Sequence, residues 1–442
     1  MEQQDSQNKQ YGLLGEKLVH SFSPQIHKKL GNPNYGLFSV LKEELDSFLT
    51  NPSFSGINVT IPYKKAVIPY LSEISERARE IGSVNTIVKR GNGYLAGFNT
   101  DYAGMRYALR SAGIELKGRK VLILGSGGTS LTAQAAAGNS GAREMIVVSR
   151  KGEETYTNLS ERHADAEIII NTTPVGMFPE NGRKLISLTN FPNCCGVMDV
   201  IYNPFMTALL QDAAALGIPY TNGLPMLVAQ AKFASDLFFG KANCEEEKST
   251  KTADPEIDRI TAELYRELSN VVLTGMPSSG KSSVGRLLAE KLGKNFIDLD
   301  DVIEERFGKK IPQIFSEEGE AGFREKETFC AKEIGKERGA VIACGGGTVL
   351  REENVRALKQ NGCMVLLERD IRLLSTEGRP LSKDAETLKR MYEERLPFYR
   401  RCADFTFVNN QTPEDCAERI RDKINAESFA EISRDEISAG RK

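Results

Sequence analysis

The chain has 442 residues, 40% of them hydrophobic and 27% charged, which is the balance of a packed globular protein with room for two or three domains rather than of a disordered chain. Its 58 Lys and Arg against 60 Asp and Glu argue against a general polyanion-binding surface, and so against a nucleic-acid partner, though not against local basic pockets. Three histidines (His20, His27, His163) and eight scattered cysteines without CxxC spacing make a zinc site improbable. The adjacent Cys194 and Cys195 would make a strained disulfide, so reduced thiols in a cytoplasmic protein are expected. The polar opening stretch MEQQDSQNKQYGLLG lacks the apolar core of a signal peptide, and no apolar run is long enough to cross a bilayer.

In chain order, GINVTIPYK (Gly56 to Lys64) reads as a short strand ending at Pro62, and Glu76 to Ile81 as a helix. KVLILGSGG (Lys120 to Gly128) reads as a buried strand entering a tight turn, followed by the alanine-rich helical run LTAQAAAGNSGA. The turn carries Gly125, Ser126, Gly127, Gly128 and Thr129, with Ser130 where a dinucleotide fingerprint has its third glycine. Glycines there would let a pyrophosphate approach the backbone at a helix N-terminus, although the same turn could be purely structural. The next strand, EMIVVSRK, ends in Ser149, Arg150 and Lys151 where an NAD site usually has an acidic residue. Two cations suit a 2′-phosphate and so NADP; ordinary solvated loop charges are the other reading. Met206 to Leu216 is helical in pattern. From Gly240 the composition shifts to a charged linker, whose second half, Pro255 to Leu268, reads as a short amphipathic helix.

NVVLTGMPSSGKS then repeats the theme of strand, turn and helix with a different loop. Gly275, Met276, Pro277, Ser278, Ser279, Gly280, Lys281 and Ser282 fit GxxxxGK[ST] in full, with Ser283 following. Such a loop wraps phosphates in backbone N–H groups, reaches the terminal phosphate with Lys281 and holds Mg²⁺ with the Ser282 hydroxyl. The alternation of strands and helices predicts an α/β protein with largely parallel sheets.

Residues 11 to about 240 resemble shikimate dehydrogenase over nearly their whole length. The motifs are GEKLVHSFSPQIH, GINVTIPYKK, GSVNT, GFNTD, GSGGTS, VVSR, NTTPVGM and GLPMLVAQA. The resemblance implies that Ser21 and Ser23 bind the substrate carboxylate, with Thr60, Asn85, Tyr202 and Gln230 as further substrate contacts. It implies Lys64 and Asp101 as the catalytic pair, and Asn171, Thr172, Gly223 and Met226 near the nicotinamide. A lysine held by a carboxylate suits ketone reduction, because it can give a proton to the developing alkoxide and stabilise its charge. A lone Lys64 would otherwise be a solvated surface residue. Between Arg150 and IIINTTPVG the chain is shorter than in many family members, so a strand and helix of the nucleotide domain are expected to be reduced, with His163 at the surface.

Residues 269 to about 424 resemble shikimate kinase, through the phosphate loop followed by DLDDVIEE, FREKE, CGGGTV, GRPL and EERLPFYRR in family order. The resemblance implies that Asp300 contacts the shikimate hydroxyls as base or positioner, and that Asp298 lies near Mg²⁺. Arg324 and Arg395 would clamp the substrate carboxylate, Gly345, Gly346 and Gly347 would form the turn beneath the substrate, and Arg379 would be the lid arginine. Bidentate arginines are the natural readers of a planar carboxylate, and phosphoryl transfer depends on positioning and charge neutralisation. Asp298 and Asp300 could still be strand-end turn residues, and Arg324 a surface ion pair.

The expected architecture is a substrate-binding α/β domain over 1–102 with a return helix near 224–240, and a Rossmann-like NADP domain over 103–240. A linker over 241–268, a P-loop α/β kinase domain over 269–426 and a charged tail over 427–442 complete it. The implied function is a bifunctional enzyme of the shikimate pathway. It would reduce 3-dehydroshikimate with NADPH and phosphorylate the resulting shikimate with MgATP, as a monomer or homodimer without nucleic-acid or membrane partners. The alternatives are a broader quinate/shikimate dehydrogenase joined to a kinase, and a catalytically silent metabolite sensor. The presence of Lys64, Asp101, Lys281, Ser282 and Asp300 argues against the sensor.

Overall fold

The computed structural model describes residues 11–18, 21–91, 93–241, 253–374 and 385–426. Arg379, His20, most of the linker before the Pro255 helix and the tail beyond Ala426 lie outside the described residues. The chain divides into two compact units, one of 1–174, 185–202 and 218–261, the other of 175–184, 203–217 and 262–442.

The first unit holds two sheets. One has six strands in the order Tyr35–Ser39, Tyr11–Gly15, Gly56–Val59, Thr86–Lys89, Leu95–Phe98 and Glu73–Ile74. This sheet is mixed rather than parallel: Thr86–Lys89 runs antiparallel to both neighbours. The reason is local. Only a short turn, closed by Arg90 N–H to Tyr94 O at 2.8 Å, joins it to Leu95–Phe98, and so short a connection cannot return a strand in parallel. The Gly56 strand stops at Val59, ahead of Pro62, which has no N–H to give a ladder.

The second sheet is wholly parallel, in the order Tyr220–Thr221, Gly196–Asp199, Ile168–Asn171, Lys120–Leu124, Glu144–Val148. Its central strands, KVLIL and IIIN, are buried along their whole length, as strands covered on both faces must be. Between Val148 and Ile168 there is one helix, the four residues Leu159–Arg162, in keeping with the shortening seen in the sequence. His163 does not lie at the surface as expected. It is 7% exposed and 3.2 Å from the Glu154 carboxylate, because this brief tract must cover the sheet and buries Leu159 and Ala166 with it.

Helices Thr100–Ser111 and Gly223–Phe238 pack closely, and Tyr102, Met105, Ala108 and Met226 join Val121, Ile123, Ile168 and Met198 in one core. Phe238, at the far end of the second helix, packs with Tyr11, Leu13, Tyr35 and Phe98 of the six-stranded sheet. The helix Pro255–Leu268 forms over the residues its amphipathic pattern marks, burying Ile257 and Ile260 while Asp258 accepts a hydrogen bond from the Tyr107 hydroxyl.

The second unit is built on a five-stranded parallel sheet ordered Asn295–Asp298, Ala340–Ala343, Asn270–Thr274, Gly362–Glu368, Phe405–Val408. The period of two is visible in its cores. Val272, Ile342, Met364 and Leu366 face one side, whereas Val271, Leu273, Val341, Val365 and Leu367 face the other. Helix Ala208–Ala215 belongs to this unit. Among the described residues no helix is long and apolar enough to cross a membrane, and all seven cysteines are free thiols.

Candidate active sites

In the first unit, Lys64 follows the end of the Gly56 strand and Asp101 sits in the first turn of the Thr100–Ser111 helix. Asn99 caps that helix by accepting a hydrogen bond from the Tyr102 N–H, which fixes where the Asp101 carboxylate stands. The Lys64 ammonium donates to Asp101 Oδ2 at 2.6 Å, with side chains 22% and 14% exposed. The pair is thus partly open, reachable by a substrate yet not freely solvated.

The other sequence-derived residues gather around shared elements. Asn85 Oδ1 accepts from the Thr100 backbone N–H at 2.7 Å, immediately before Asp101, and Asn85 is only 2% exposed. The Ser21 hydroxyl accepts from the Ser23 N–H at 3.2 Å. Tyr202 lies with its ring centroid 5.6 Å from that of Phe22, between those two serines in sequence. The Thr60 N–H donates to Leu14 O at 2.9 Å, which ties it to the neighbouring strand Tyr11–Gly15. Gln230 and Met226 lie on the Gly223–Phe238 helix where it meets Gly104. A β-carbon at Gly104 would stand 2.7 Å from Met226 O, so the two helices touch backbone to backbone there. Sequence reading passed over Gly104 because an isolated glycine in a helix gives no local signal.

The glycine turn after Leu124 has the geometry of an anion cradle. Gly125 has φ +109° and faces Thr172 Oγ1, a conformation and a closeness that admit no side chain. Ser126, Gly127 and Gly128 are exposed where the helix Gly128–Asn139 begins, and the first N–H groups of a helix, which lack partners one turn back, suit a phosphate. Ser130, in the third-glycine position, is fully buried and accepts from Gln134 Nε2 at 3.2 Å, so it serves the packing of helix on sheet. Arg150 and Lys151 are exposed beyond Val148, while the Ser149 N–H is held by Glu154 O at 3.0 Å. Asn171 donates to the fully buried Asp199 at 3.0 Å, and Thr172 donates to Leu124 O at 2.7 Å, so both strand ends are locked. Asp199 was not singled out in the sequence, since a lone acid at a strand end resembles any turn residue.

In the second unit the phosphate loop runs from Gly275 to the helix Lys281–Leu292. Lys281 donates to Gly275 O at 3.0 Å and Met276 O at 2.9 Å, folding its ammonium across the loop that would hold phosphates. Asn409, 1% exposed, braces the loop by donating to Ser279 O at 2.8 Å. The Ser282 hydroxyl donates to Asp298 Oδ2 at 2.6 Å, and Asp298 Oδ1 caps the next helix by accepting from the Asp300 N–H. Two oxygen donors side by side at a phosphate loop suit a hard divalent cation.

Arg324 is 8% exposed and carries a guanidinium held by Glu327 at 2.7 Å and Glu320 at 3.2 Å. Burial works against its charge, but the two carboxylates outweigh it and raise its pKa. Glu327, fully buried, also accepts from the Thr348 hydroxyl at 2.7 Å and so ties Arg324 to the Gly345–Gly347 turn. A β-carbon at Gly347 would run into the Arg324 guanidinium. Arg395 is 9% exposed on the helix Ala385–Cys402. One turn later Tyr399, pushed up to about 12 by burial, donates to Gly346 O. Glu327 was not singled out in the sequence, because the three-residue spacing from Arg324 inside FREKE becomes a counter-charge only once the arginine is seen to be buried.

Comparison with known proteins agrees with both halves. Residues 13–87 match the shikimate dehydrogenase substrate binding domain model, and residues 277–425 match the shikimate kinase model. The chain is 36% identical over 263 residues to the NADP(+) shikimate dehydrogenase of Caldanaerobacter subterraneus, covering 54% of this chain and 94% of that one. It is 39% identical over 258 residues to the Geobacillus kaustophilus enzyme of the same name, covering 53% and 93%. A chorismate mutase/shikimate 5-dehydrogenase fusion protein from Clostridium acetobutylicum superposes with a TM-score of 0.53 at 35% identity, over 58% of this chain and 97% of that one. With the Lys64–Asp101 pair in one unit and the phosphate loop and the buried Arg324–Glu327 pair in the other, the chain belongs to the shikimate dehydrogenase family, carries a shikimate kinase domain, and is a bifunctional NADP- and ATP-using enzyme of the shikimate pathway.

Proposed function

We propose that the first unit reduces 3-dehydroshikimate to shikimate and that the second converts shikimate to shikimate 3-phosphate. The observation that carries the first step is the Lys64–Asp101 contact at 2.6 Å in a partly open site. In this reading Asp101 holds the Lys64 ammonium in place, and Lys64 gives its proton to the ketone oxygen as that oxygen becomes an alkoxide. NADPH supplies the hydride when bound, on a cradle made by Gly125, Ser126, Gly127, Gly128 and Thr129. Ser149 and Arg150 stand on its 2′-phosphate side, and Asn171, Thr172, Gly223 and Met226 at its nicotinamide end. Ser21, Ser23, Thr60, Asn85, Tyr202 and Gln230 orient the substrate.

In the second unit the buried Arg324 and Arg395 take the substrate carboxylate, and Asp300 orients the accepting hydroxyl over the Gly345–Gly347 turn. Ser282 and Asp298 would hold Mg²⁺, which would supply neutralisation of phosphate charge when bound. Lys281 leaves the loop carbonyls for the terminal phosphate, and Arg379, outside the described residues, is a second cation for the phosphates by its resemblance alone. The two reactions are consecutive, so the product of one site is the acceptor of the other. This sharing favours shikimate over quinate in both units.

The test is one incubation of the full chain with 3-dehydroshikimate, NADPH, ATP and Mg²⁺, following NADPH absorbance and shikimate 3-phosphate by mass spectrometry. Loss of NADPH together with the phosphorylated product is expected. Loss of NADPH with shikimate accumulating would overturn the kinase half, and turnover with quinate at equal efficiency would overturn the specificity.

A further inference from the structure

A chain of buried polar side chains runs through the six-stranded sheet of the first unit and ends beside Asp101. His27, Tyr35, Asn58, Asn85, Thr86 and Thr100 are each at most 6% exposed, and all six lie within that unit. Asn58 stands on the Gly56–Val59 strand directly opposite Thr86 on its antiparallel neighbour. Asn58 Oδ1 accepts from the Tyr35 hydroxyl at 2.7 Å and lies 3.2 Å from His27 Nε2. Asn58 Nδ2 donates to Thr86 Oγ1 at 3.1 Å and to the Asn85 carbonyl at 3.4 Å. The Thr86 hydroxyl in turn reaches Asn85 Oδ1 at 3.2 Å and Thr100 Oγ1 at 3.1 Å. Asn85 Oδ1 also accepts from the Thr100 N–H at 2.7 Å, while Asn85 Nδ2 donates to Thr100 Oγ1 at 3.0 Å.

The direction of this chain is set at both ends by backbone groups that play one role only. A carbonyl only accepts, so the Asn58 atom facing Asn85 O is the amide nitrogen. A backbone N–H only donates, so the Asn85 atom facing the Thr100 N–H is the oxygen. Between them the Thr86 hydroxyl takes a hydrogen from Asn58 and passes its single hydrogen on. It goes to Asn85 Oδ1 directly, or to Thr100 Oγ1, which stands 3.2 Å from the same oxygen and relays a hydrogen to it. On either route Asn85 Oδ1 is filled by protein donors. Its amide nitrogen, with one hydrogen given to Thr100, keeps the second to give. We propose that Asn58 and Thr86 are positioning residues of the redox site, which fix the Asn85 amide so that it meets the substrate with an N–H and not with its oxygen. This rests on the reading of Asn85 as a substrate contact. An amide free to flip would offer donor and acceptor alike; a fixed one selects a substrate oxygen that accepts, and contributes to binding without first being ordered.

The test is a double-mutant cycle in the full chain between Thr86→Val, which keeps the shape of the side chain and loses the hydroxyl, and Asn85→Ala. Thr86→Val is expected to raise KM for 3-dehydroshikimate about threefold to tenfold, with kcat changed less than about twofold and KM for NADPH unchanged. Thr86→Ser, which returns the hydroxyl, should restore most of that loss. In the Asn85→Ala background Thr86→Val should add less than about 1.5-fold, because a residue that acts through another then has nothing to act on. A folded Thr86→Val protein with the parent KM, or an equal rise in the Asn85→Ala background, would overturn the positioning role. Should Thr86→Val not fold, Asn58→Asp replaces it. Tyr35 and His27 still have an oxygen to meet, but the donor to Thr86 is gone and the Thr86 hydroxyl turns to the carboxylate. The same rise, again absent once Asn85 is removed, is expected, and the parent KM would overturn the proposal. Failure of the underlying reading looks different: Asn85→Ala by itself would leave KM unchanged, or the unmodified chain would not oxidise NADPH, and the proposal would fall with it.

Discussion

Glu327 is the residue that holds Arg324 in the second unit. It is fully buried, meets the Arg324 guanidinium with one oxygen and the Thr348 hydroxyl with the other, and so sets the position of arginine and glycine turn together. Glu327→Ala would leave a buried arginine with less counter-charge, and thermal unfolding of the kinase unit should show a loss of about 3–5 kcal/mol. Gly347→Ala should act differently. The clash falls on the far end of a flexible side chain, so Arg324 moves aside; KM for shikimate should rise about tenfold while the melting temperature shifts little. In the other unit His27 is buried, stacked on Tyr35 at 3.8 Å and 3.2 Å from Asn58 Oδ1. Burial pushes its pKa down to about 3 against the smaller opposing effect of that hydrogen bond. Above pH 6.5 the ring is neutral folded or unfolded and contributes no pH dependence. Below pH 6.5 the unfolded ring takes a proton that the folded one refuses, so stability falls as pH drops toward 3, by at most about 1.4 kcal/mol per pH unit. Urea midpoints between pH 7 and 5 should fall more steeply for the parent than for His27→Gln; equal slopes would show that His27 does not carry the effect.

Among elements, the crossing of the Thr100–Ser111 and Gly223–Phe238 helices matters most for the redox site. Asp101 begins one helix, and Met226 and Gln230 ride on the other. Gly104 lets the two meet with a backbone carbonyl where a β-carbon would be 2.7 Å away. Gly104→Val should force them apart, at a cost of about 1–3 kcal/mol, and should raise the dehydrogenase KM values while leaving the kinase constants untouched. Calorimetry together with the two assays checks this. A variant as stable as the parent would mean that the helices slide without loss. The Pro255–Leu268 helix was legible from its apolar spacing alone, and the P-loop from its spacing of glycines and lysine, because both signals are local. The antiparallel Thr86–Lys89 strand was not, because its direction depends on a short turn and on which strands flank it. The burial of His163 was likewise illegible, since a polar stretch with a histidine looks the same whether or not a sheet needs covering.

For the whole molecule, two chemistries in one chain predict separable loss. Lys64→Ala should reduce dehydrogenase kcat by about 10²–10⁴-fold and leave shikimate phosphorylation intact, while Lys281→Ala should do the reverse. Loss of both activities from either change, in a protein that still melts as the parent does, would sink the separation. The sequence by itself determined the α/β class and the two strand–glycine–helix turns, because such patterns are written in short windows. It also determined Lys64 and Asp101 as partners, although they are 37 positions apart, through the motifs that hold each. Only the tertiary structure decided which groups orient those residues: Glu327 behind Arg324, Asn409 beneath Ser279, Asp199 behind Asn171. It alone decided that residues 203–217 group with 175–184 and 262–442 in one compact unit. The physical reason is that a buried charge or backbone N–H takes whichever partner the packed chain brings within about 3 Å, and that partner can lie anywhere in the sequence.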